Sequence, residues 1–383
     1  MSLQLASGEQ KVSKDTLPSG MPVAVRSWLL KLKGRCDLDS IEITVQTSTV
    51  ARILLLGCLS FALSMLITPI YTSLAYRWQW WKKPRETAVT GEIAKVFNFL
   101  HADKHKRHIP TMAGIIFVIA AGLTTLVFNL SRPETWLPLA AFAGAGAVGL
   151  LDDIINIRGA GKGVAGLSSR LKFLFMTLIA TIGGWFFYFK LEVHSIHIPW
   201  FGQLGIGWLI IPLFVLVVVA TANAVNMSDG LDGLAGGLTA IAFAMYALIA
   251  FIEHRYGVAG FCMSVVGALL SYTWFNIFPA RFFMGDVGSF ALGTALGVVA
   301  MLTDTVVLLP VIGAVFVAEA GSVILQVASK KLRNGKKIFK ISPIHHHFEA
   351  IGWPETKVTM RFWVMAQVAG VLGLVLFLLG RTQ

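Results

Sequence analysis

Two adjacent carboxylates, Asp152 and Asp153, close the run GLLDDI directly after an apolar stretch. Side by side near lipid they repel one another and are costly unless a cation or a proton compensates. The plain alternative is a helix end emerging into water. A second motif, NAVNMSDGLDGLAGG, runs from Asn223 to Gly237 and sets Asn223, Asn226, Asp229 and Asp232 three residues apart. In a helical turn these would share a face, and Gly230 and Gly233 would let backbone approach a ligand closely. Tight turns also collect Asn, Asp and Gly, but four polar side chains at one interval exceed what a connection needs. A third run, FNIFPARFFMGDVGS, carries Asp286 between Gly285 and Val287-Gly288, with Asn276 ten residues earlier. Its Phe282 and Phe283 suit anchors at a membrane interface, or one of them stacks on a base. A fourth, SPIHHHFE from Ser342 to Glu349, holds His345, His346 and His347. Neighbouring residues rarely ligate one tetrahedral zinc, and no Cys or HxxxH partner is near. Imidazoles beside lysines are better suited to phosphate or a nucleotide.

The elements that must position these groups are apolar. With 56% hydrophobic and 14% charged residues, the 383-residue chain is too apolar for an ordinary soluble domain, where about 25% are charged. Ten apolar stretches are expected at 51–76, 111–130, 135–151, 171–189, 207–225, 233–252, 258–278, 287–302, 305–328 and 361–380. Blocks of about 20 residues are what a bilayer core selects. The eighth is short for a span and would be tilted, re-entrant or read with its neighbours. Helices are expected throughout, because hydrocarbon excludes unpaired backbone and the alternation of a membrane barrel is absent. The loops after the first, third and ninth stretches hold most of the Lys and Arg, so the odd-numbered loops face the cytoplasm and both termini lie outside. Residues 1–48 are read as an extension of unknown structure, without a signal-peptide core, and residues 49–383 as the transmembrane domain. The Lys and Arg of the N-terminal extension alone favour a cytoplasmic N-terminus, though acidic residues nearly balance them.

The net charge of +12 fits anionic headgroups or an anionic substrate. A nucleic-acid partner fits less well, because the basic residues lie between apolar blocks. Cys36, Cys58 and Cys262 lie far apart and suggest neither a disulfide framework nor a thiolate metal site. On the loop numbering, Asp152, Asp153, Asp229, Asp232 and Asp286 all reach one membrane surface on separate loops. Clustered carboxylates call for a divalent cation, and Mg2+ takes oxygen ligands together with water and substrate phosphates. Lysines and histidines on the same side add anion-binding groups. That combination suits phosphoryl transfer.

Taken in order, PTMAG at 110–114, GLLDD, GLSSRLK, NAVNMSDGLDGLA, FFMGDVGS, FVAEAGSVILQV and SPIHHHFEAIGWPE carry a resemblance. From about the first span to the C-terminus the chain is similar to the phospho-N-acetylmuramoyl-pentapeptide transferase family of polyprenyl-phosphate sugar-1-phosphate transferases. The aspartate motifs are shared across that superfamily, and HHHFE followed by GWPE is specific to this branch. The resemblance implies an all-α polytopic bacterial inner-membrane enzyme of ten transmembrane helices, often a homodimer, with a cytoplasmic cleft. It implies transfer of phospho-MurNAc-pentapeptide from UDP-MurNAc-pentapeptide to undecaprenyl phosphate, giving lipid I and UMP. By motif position, Asp286 would bind Mg2+, with Asp152 and Asp153 beside the metal and phosphates. Asn223, Asn226, Asp229 and Asp232 would line the nucleotide and sugar-phosphate region, and Asn276 and Phe283 would hold the uracil. Lys106 and Lys172 would bind phosphate or nucleotide, and His345, His346 and His347 would close the site. Two departures stand out: His108 to Gly114 reads HIPTMAG where the family has a run close to GTPTMGG, and the loop from Asp153 to Lys172 is slightly longer.

The expected chemistry is in-line attack by the lipid phosphate, whose second pKa of about 6 leaves it largely ionised at neutral pH. Asp152 would orient or deprotonate it, and a two-step route through an aspartyl-phosphate stays open. A sibling enzyme passing N-acetylglucosamine-1-phosphate to the same lipid is the nearest rival. A transporter is the rival from another class, disfavoured by the lack of an internal repeat and by acids placed at span ends.

Overall fold

The computed structural model describes residues 47–81, 108–159 and 166–381. The expected extension at 1–48 therefore falls almost wholly outside the described residues, as do Lys106 and Cys36. Every apolar stretch expected is helical: α1 (Thr47–Arg77), α2 (Gly114–Phe128), α3 (Trp136–Arg158), α4 (Ser169–Phe189), α5 (Ile210–Ser228), α6 (Leu234–Ile252), α7 (Tyr256–Asn276) and α8 (Gly285–Leu302) lead the order. A short α9 (Leu309–Ile312), then α10 (Ala314–Leu332), α11 (Ile344–Ala350) and α12 (Glu355–Arg381) complete it. Among the described residues eight helices are long and apolar enough to cross a membrane, and a ninth span is possible if the bent pair counts as one. The shorter apolar α2 occupies the remaining expected position. The protein is an all-α polytopic membrane protein.

Three features depart from expectation. The ninth stretch is no single rod: the 306–312 segment and α10 meet at an 83° bend, at Gly313, between two helices that each close their own backbone hydrogen bonds. A two-stranded antiparallel hairpin, β1 (Ser195–Ile198) with β2 (Gly202–Gly205), links α4 to α5. Asp304 pins it, accepting from the His197 backbone N–H at 2.8 Å and from Gln203 Nε2 at 2.6 Å. Finally, the short eighth stretch is neither re-entrant nor lipid-bathed. Every residue of α8 from Val287 to Leu302 is buried, packed chiefly against α3 and α5. Small residues let its neighbours approach, the usual device between membrane helices. A Cβ on Gly293 would stand 2.6 Å from Ala222 Cα. α1 and α12, by contrast, turn large apolar side chains such as Leu54, Leu66, Val364 and Val368 outward, a surface that hydrocarbon accepts and water does not.

Candidate functional site

The chemistry sits where the C-terminal ends of α3 and α5 meet the N-terminal ends of α4 and α8. Asp152 and Asp153 are not on a loop, as expected, but inside α3, because the following Ile154-Ile155-Asn156-Ile157 continues the helix to Arg158. Neither emerges into water; both are fully buried. Asp152 Oδ1 accepts from the Leu167 N–H at 2.6 Å, and Oδ2 accepts from Asn156 Nδ2 at 2.9 Å, one helical turn on. Asp153 Oδ2 accepts from the Val287 N–H of α8 at 3.1 Å. Asp286, likewise helical rather than on a loop, lies in the first turn of α8, where the helix dipole favours a negative charge. Its Oδ1 accepts from Asn226 Nδ2 at 3.1 Å, and Asn226 also donates to Ser289 Oγ at 2.8 Å. Lys172, in the first turn of α4, closes the cluster: Nζ lies 2.7 Å from Asp286 Oδ2 and 2.8 Å from Asp152 Oδ2.

Absent side chains make this convergence possible. A Cβ on Gly149 would fall 2.2 Å from the Asp286 carbonyl oxygen, so only glycine admits α8 this close to α3. Gly285 has φ +72°, a left-handed conformation that costs other residues about 1–2 kcal/mol. A Cβ there would lie 2.4 Å from Asp153 Oδ2. The run at 110–114 laces onto the same turn: Phe283 N–H donates to the Pro110 carbonyl at 2.8 Å, and the Ala113 and Gly114 N–H groups donate to Phe283 and Met284 at 3.0 and 2.9 Å. His108, where the family run has glycine, takes φ +48°.

One ligand atom from each of Asp152, Asp153 and Asp286 lies within 4.8 Å of the others. Two oxygens sharing one magnesium at about 2.1 Å each can be at most about 4.2 Å apart, so small side-chain rotations bring all three into reach. An all-carboxylate donor set suits a hard divalent cation. Of the five acids expected to gather, Asp229 and Asp232 are not in this group among the described residues. Asp232 accepts from the Ala280 N–H at 2.9 Å, while its own N–H donates to Glu355 Oε1 at 2.6 Å. Asn276 is also committed to backbone: Oδ1 accepts from Gly233 N–H at 3.0 Å and Nδ2 donates to the Phe282 carbonyl at 2.8 Å. Together they tie the 229–233 turn to the 278–283 loop. Asn223 donates to the Val219 carbonyl at 2.8 Å within α5. Asp229 is half-buried at the C-cap of α5. Of the two phenylalanines, Phe282 is core, packed on Tyr71, Tyr272 and Phe275, which leaves the half-buried Phe283 as the candidate stacking surface.

The histidines form the start of α11. His345 Nδ1 lies 2.8 Å from Glu319 Oε2, and His346 Nδ1 lies 2.7 Å from Glu349 Oε2. Their rings are 4.1 Å apart. Burial holds the His346 imidazole below its ordinary range, although Glu349 pulls the other way. His347 is half-buried and accepts from the Lys340 N–H at 3.2 Å. Sequence reasoning missed Asn156, Ser289, Glu319 and Glu355. Asn156 was legible as the residue four after Asp152, and Glu319 as a lone acid in an apolar helix. Ser289 and Glu355 carry no such local signal.

Comparison with known proteins now bears on this geometry. Residues 135–304, which span Asp152 to Asp286, match glycosyl transferase family 4. The chain is 39% identical over 324 residues to the phospho-N-acetylmuramoyl-pentapeptide-transferase of Geobacillus thermodenitrificans strain NG80-2, covering 82% of this chain and 94% of that protein. It is 39% identical to the proteins of the same name from Geobacillus sp. strain WCH70 and Bacillus pumilus strain SAFR-032, over 327 and 321 residues, covering 82% of this chain and 95% of each relative. With an acid cluster, a bridging lysine and a histidine-bearing helix on a membrane scaffold, and with that identity over almost the whole of each relative, the chain belongs to the phospho-N-acetylmuramoyl-pentapeptide-transferase family.

Proposed function

We propose that this enzyme transfers phospho-MurNAc-pentapeptide from UDP-MurNAc-pentapeptide to undecaprenyl phosphate, giving lipid I and UMP. The observation that carries the reading is the trio of Asp152, Asp153 and Asp286, bridged by Lys172 at helix ends in a chain of this family. Asp286, with Asp152 and Asp153 beside it, would hold Mg2+, which when bound offsets charge on the phosphates. Lys172 is already poised between two carboxylates and can turn toward a phosphate as the anion enters. Asp152 orients the lipid phosphate. Asn226 fixes the Asp286 carboxylate. Asp232 and Asn276 hold the backbone around the uracil side, against which the Phe283 ring stacks. Asn223 and Asp229 face the sugar-phosphate, Lys106 binds phosphate, and His345, His346 and His347 close the site. On this reading the face lies toward the cytoplasm of a bacterial inner membrane, which the distribution of Lys and Arg among the loops supports, and the chain works as a homodimer.

The test is UMP release by the purified protein with undecaprenyl phosphate and magnesium, run in parallel with UDP-MurNAc-pentapeptide and UDP-N-acetylglucosamine. Release from the first alone, lost on chelation and in Asp286→Asn, supports the reading. Release only from UDP-N-acetylglucosamine would assign the sibling reaction, and a phospho-enzyme trapped without lipid would replace direct attack by a two-step route.

A further inference from the structure

Seven acidic or histidine side chains are buried among the described residues: Asp152, Asp153, Asp232, Glu319, His345, His346 and Glu349. The two aspartates of α3 belong to the acid cluster, Asp232 serves backbone, and Glu349 pairs with His346. Glu319 is the one that no step above uses. It lies two turns beyond the Gly313 bend, in α10, at 0% exposure. A carboxylate in an apolar helix is expensive to bury and, where retained, marks a functional contact whose partner can be named. Here the partner is His345 Nδ1, at 2.8 Å, itself fully buried. The first backbone N–H groups of α11, those of Ile344 and His345, also interact with this carboxylate. The imidazole is therefore held by its Nδ1 edge, and the opposite edge has a defined direction. A Cβ built on Gly230 would meet His345 Nε2 at 2.3 Å. Nε2 thus reaches the turn of NAVNMSDGLDG through the space that glycine leaves.

We infer that Glu319 is a positioning residue for His345: it accepts the Nδ1 proton, fixes the ring plane, and so presents Nε2 as an acceptor toward the Asp229–Asp232 turn. The logic is that of a carboxylate orienting an imidazole, in which the partner of one ring nitrogen decides what the other can do. Accepting from the N–H groups of Ile344 and His345 favours the ionised form of Glu319, and an ionised carboxylate can only accept, which leaves the proton on Nδ1. A glutamine could instead donate its amide N–H to Nδ1 and drive the proton to Nε2. The inference rests on the proposed reaction only for its kinetic consequence.

The experiment has two arms. Ring-nitrogen NMR of the full chain labelled at histidine, compared between parent, E319Q and H345Q, reads the tautomer without substrate. The proton is expected on Nδ1 of His345 in the parent and displaced in E319Q. In the second arm, UMP release by E319Q is expected to lose about 10- to 100-fold in kcat, the scale typical when a group orienting a histidine is removed, with little change in KM. The E319Q/H345Q double variant should lose no more than H345Q alone. An unchanged tautomer in E319Q, or losses that multiply in the double variant, would overturn the inference. Should E319Q fail to fold, E319D keeps the charge on a shorter arm: a proton retained on Nδ1 with reduced kcat supports the inference, and parental kcat overturns it. A parent that releases no UMP would sink the proposed reaction while leaving the tautomer result to decide this one.

Discussion

Replacing Gly285 by alanine tests whether the acid cluster depends on a missing side chain. Its φ of +72° costs an alanine about 1–2 kcal/mol, offset in part by about 0.4–1 kcal/mol of lost unfolded-state entropy. Backbone strain alone therefore leaves the protein folded. Overlap is the larger effect, because the new Cβ would stand 2.4 Å from Asp153 Oδ2 and 2.9 Å from the Met112 nitrogen. Met112 N is backbone and holds its place, so the carboxylate must retreat by about 1 Å, a misplacement that costs about 100-fold in rate. The assay is UMP release by purified Gly285→Ala at saturating magnesium and substrates, with a thermal melt on the same sample. Gly202→Ala is the control: its φ is +80°, and nothing lies within 4 Å of its Cβ. It incurs the same strain in the hairpin and should melt slightly lower with parental kcat. If Gly285→Ala turned over like the parent, or if both variants lost activity alike, the argument from close approach would fail.

Two further outcomes are expected. Magnesium should raise the melting temperature of the parent by preferential binding to the folded state, do so more strongly in Lys172→Met, where no ammonium competes for Asp152 and Asp286, and not in Asp286→Asn; equal shifts in all three would separate the acids from the metal. His346 is held below its ordinary pKa by burial, so the unfolded chain takes up the proton first. Stability is fully present above about pH 6.5 and falls as pH drops through it, by at most about 1.4 kcal/mol per unit from this group. Melts of parent and His346→Gln from neutral to mildly acid pH should show a shallower decline in the variant.

The apolar helices were legible because lipid enforces a length and an apolarity that few other environments demand, and eight of them, or nine with the bent pair, are long enough to cross a membrane among the described residues. What was not legible is that α8 is ringed by protein instead of lipid: its 18 residues are enough to span, and its burial is set by its neighbours. The bend at Gly313 and the hairpin depend on what they pack against, and Asp304, which pins the hairpin, lies about a hundred residues away in sequence. Within the site, the residue types announced their chemistry and the partners did not. Nothing local says that Lys172 bridges Asp152 and Asp286, or that Asp232 and Asn276 turn to backbone. The choice between Phe282 and Phe283 likewise needed the packing of Tyr71 and Tyr272. Asn156 and Glu319, however, carried readable signals of helical spacing and of an acid in an apolar helix.

The charges of the cluster explain why these pieces are assembled at helix ends. With all three carboxylates ionised against one ammonium, two negative charges would stand beside fully buried groups, an arrangement that is strongly unfavourable without a partner. The N-terminus of α8 contributes roughly half a positive charge, and the Val287 and Leu167 N–H groups and the Asn156 and Asn226 amides add oriented dipoles. These lower the cost of the residual charge without cancelling it. A divalent cation held by Asp152, Asp153 and Asp286 would cancel it, and an arriving diphosphate would restore the need for positive charge, which Lys172 could meet by turning from the carboxylates. A loop could not hold such a balance, because a shift of one ångström in any carboxylate would change both the repulsion and the ligand geometry. Helices locked by Gly149 and Gly285 can hold it, so the glycines that look like packing details are what make the acid cluster usable.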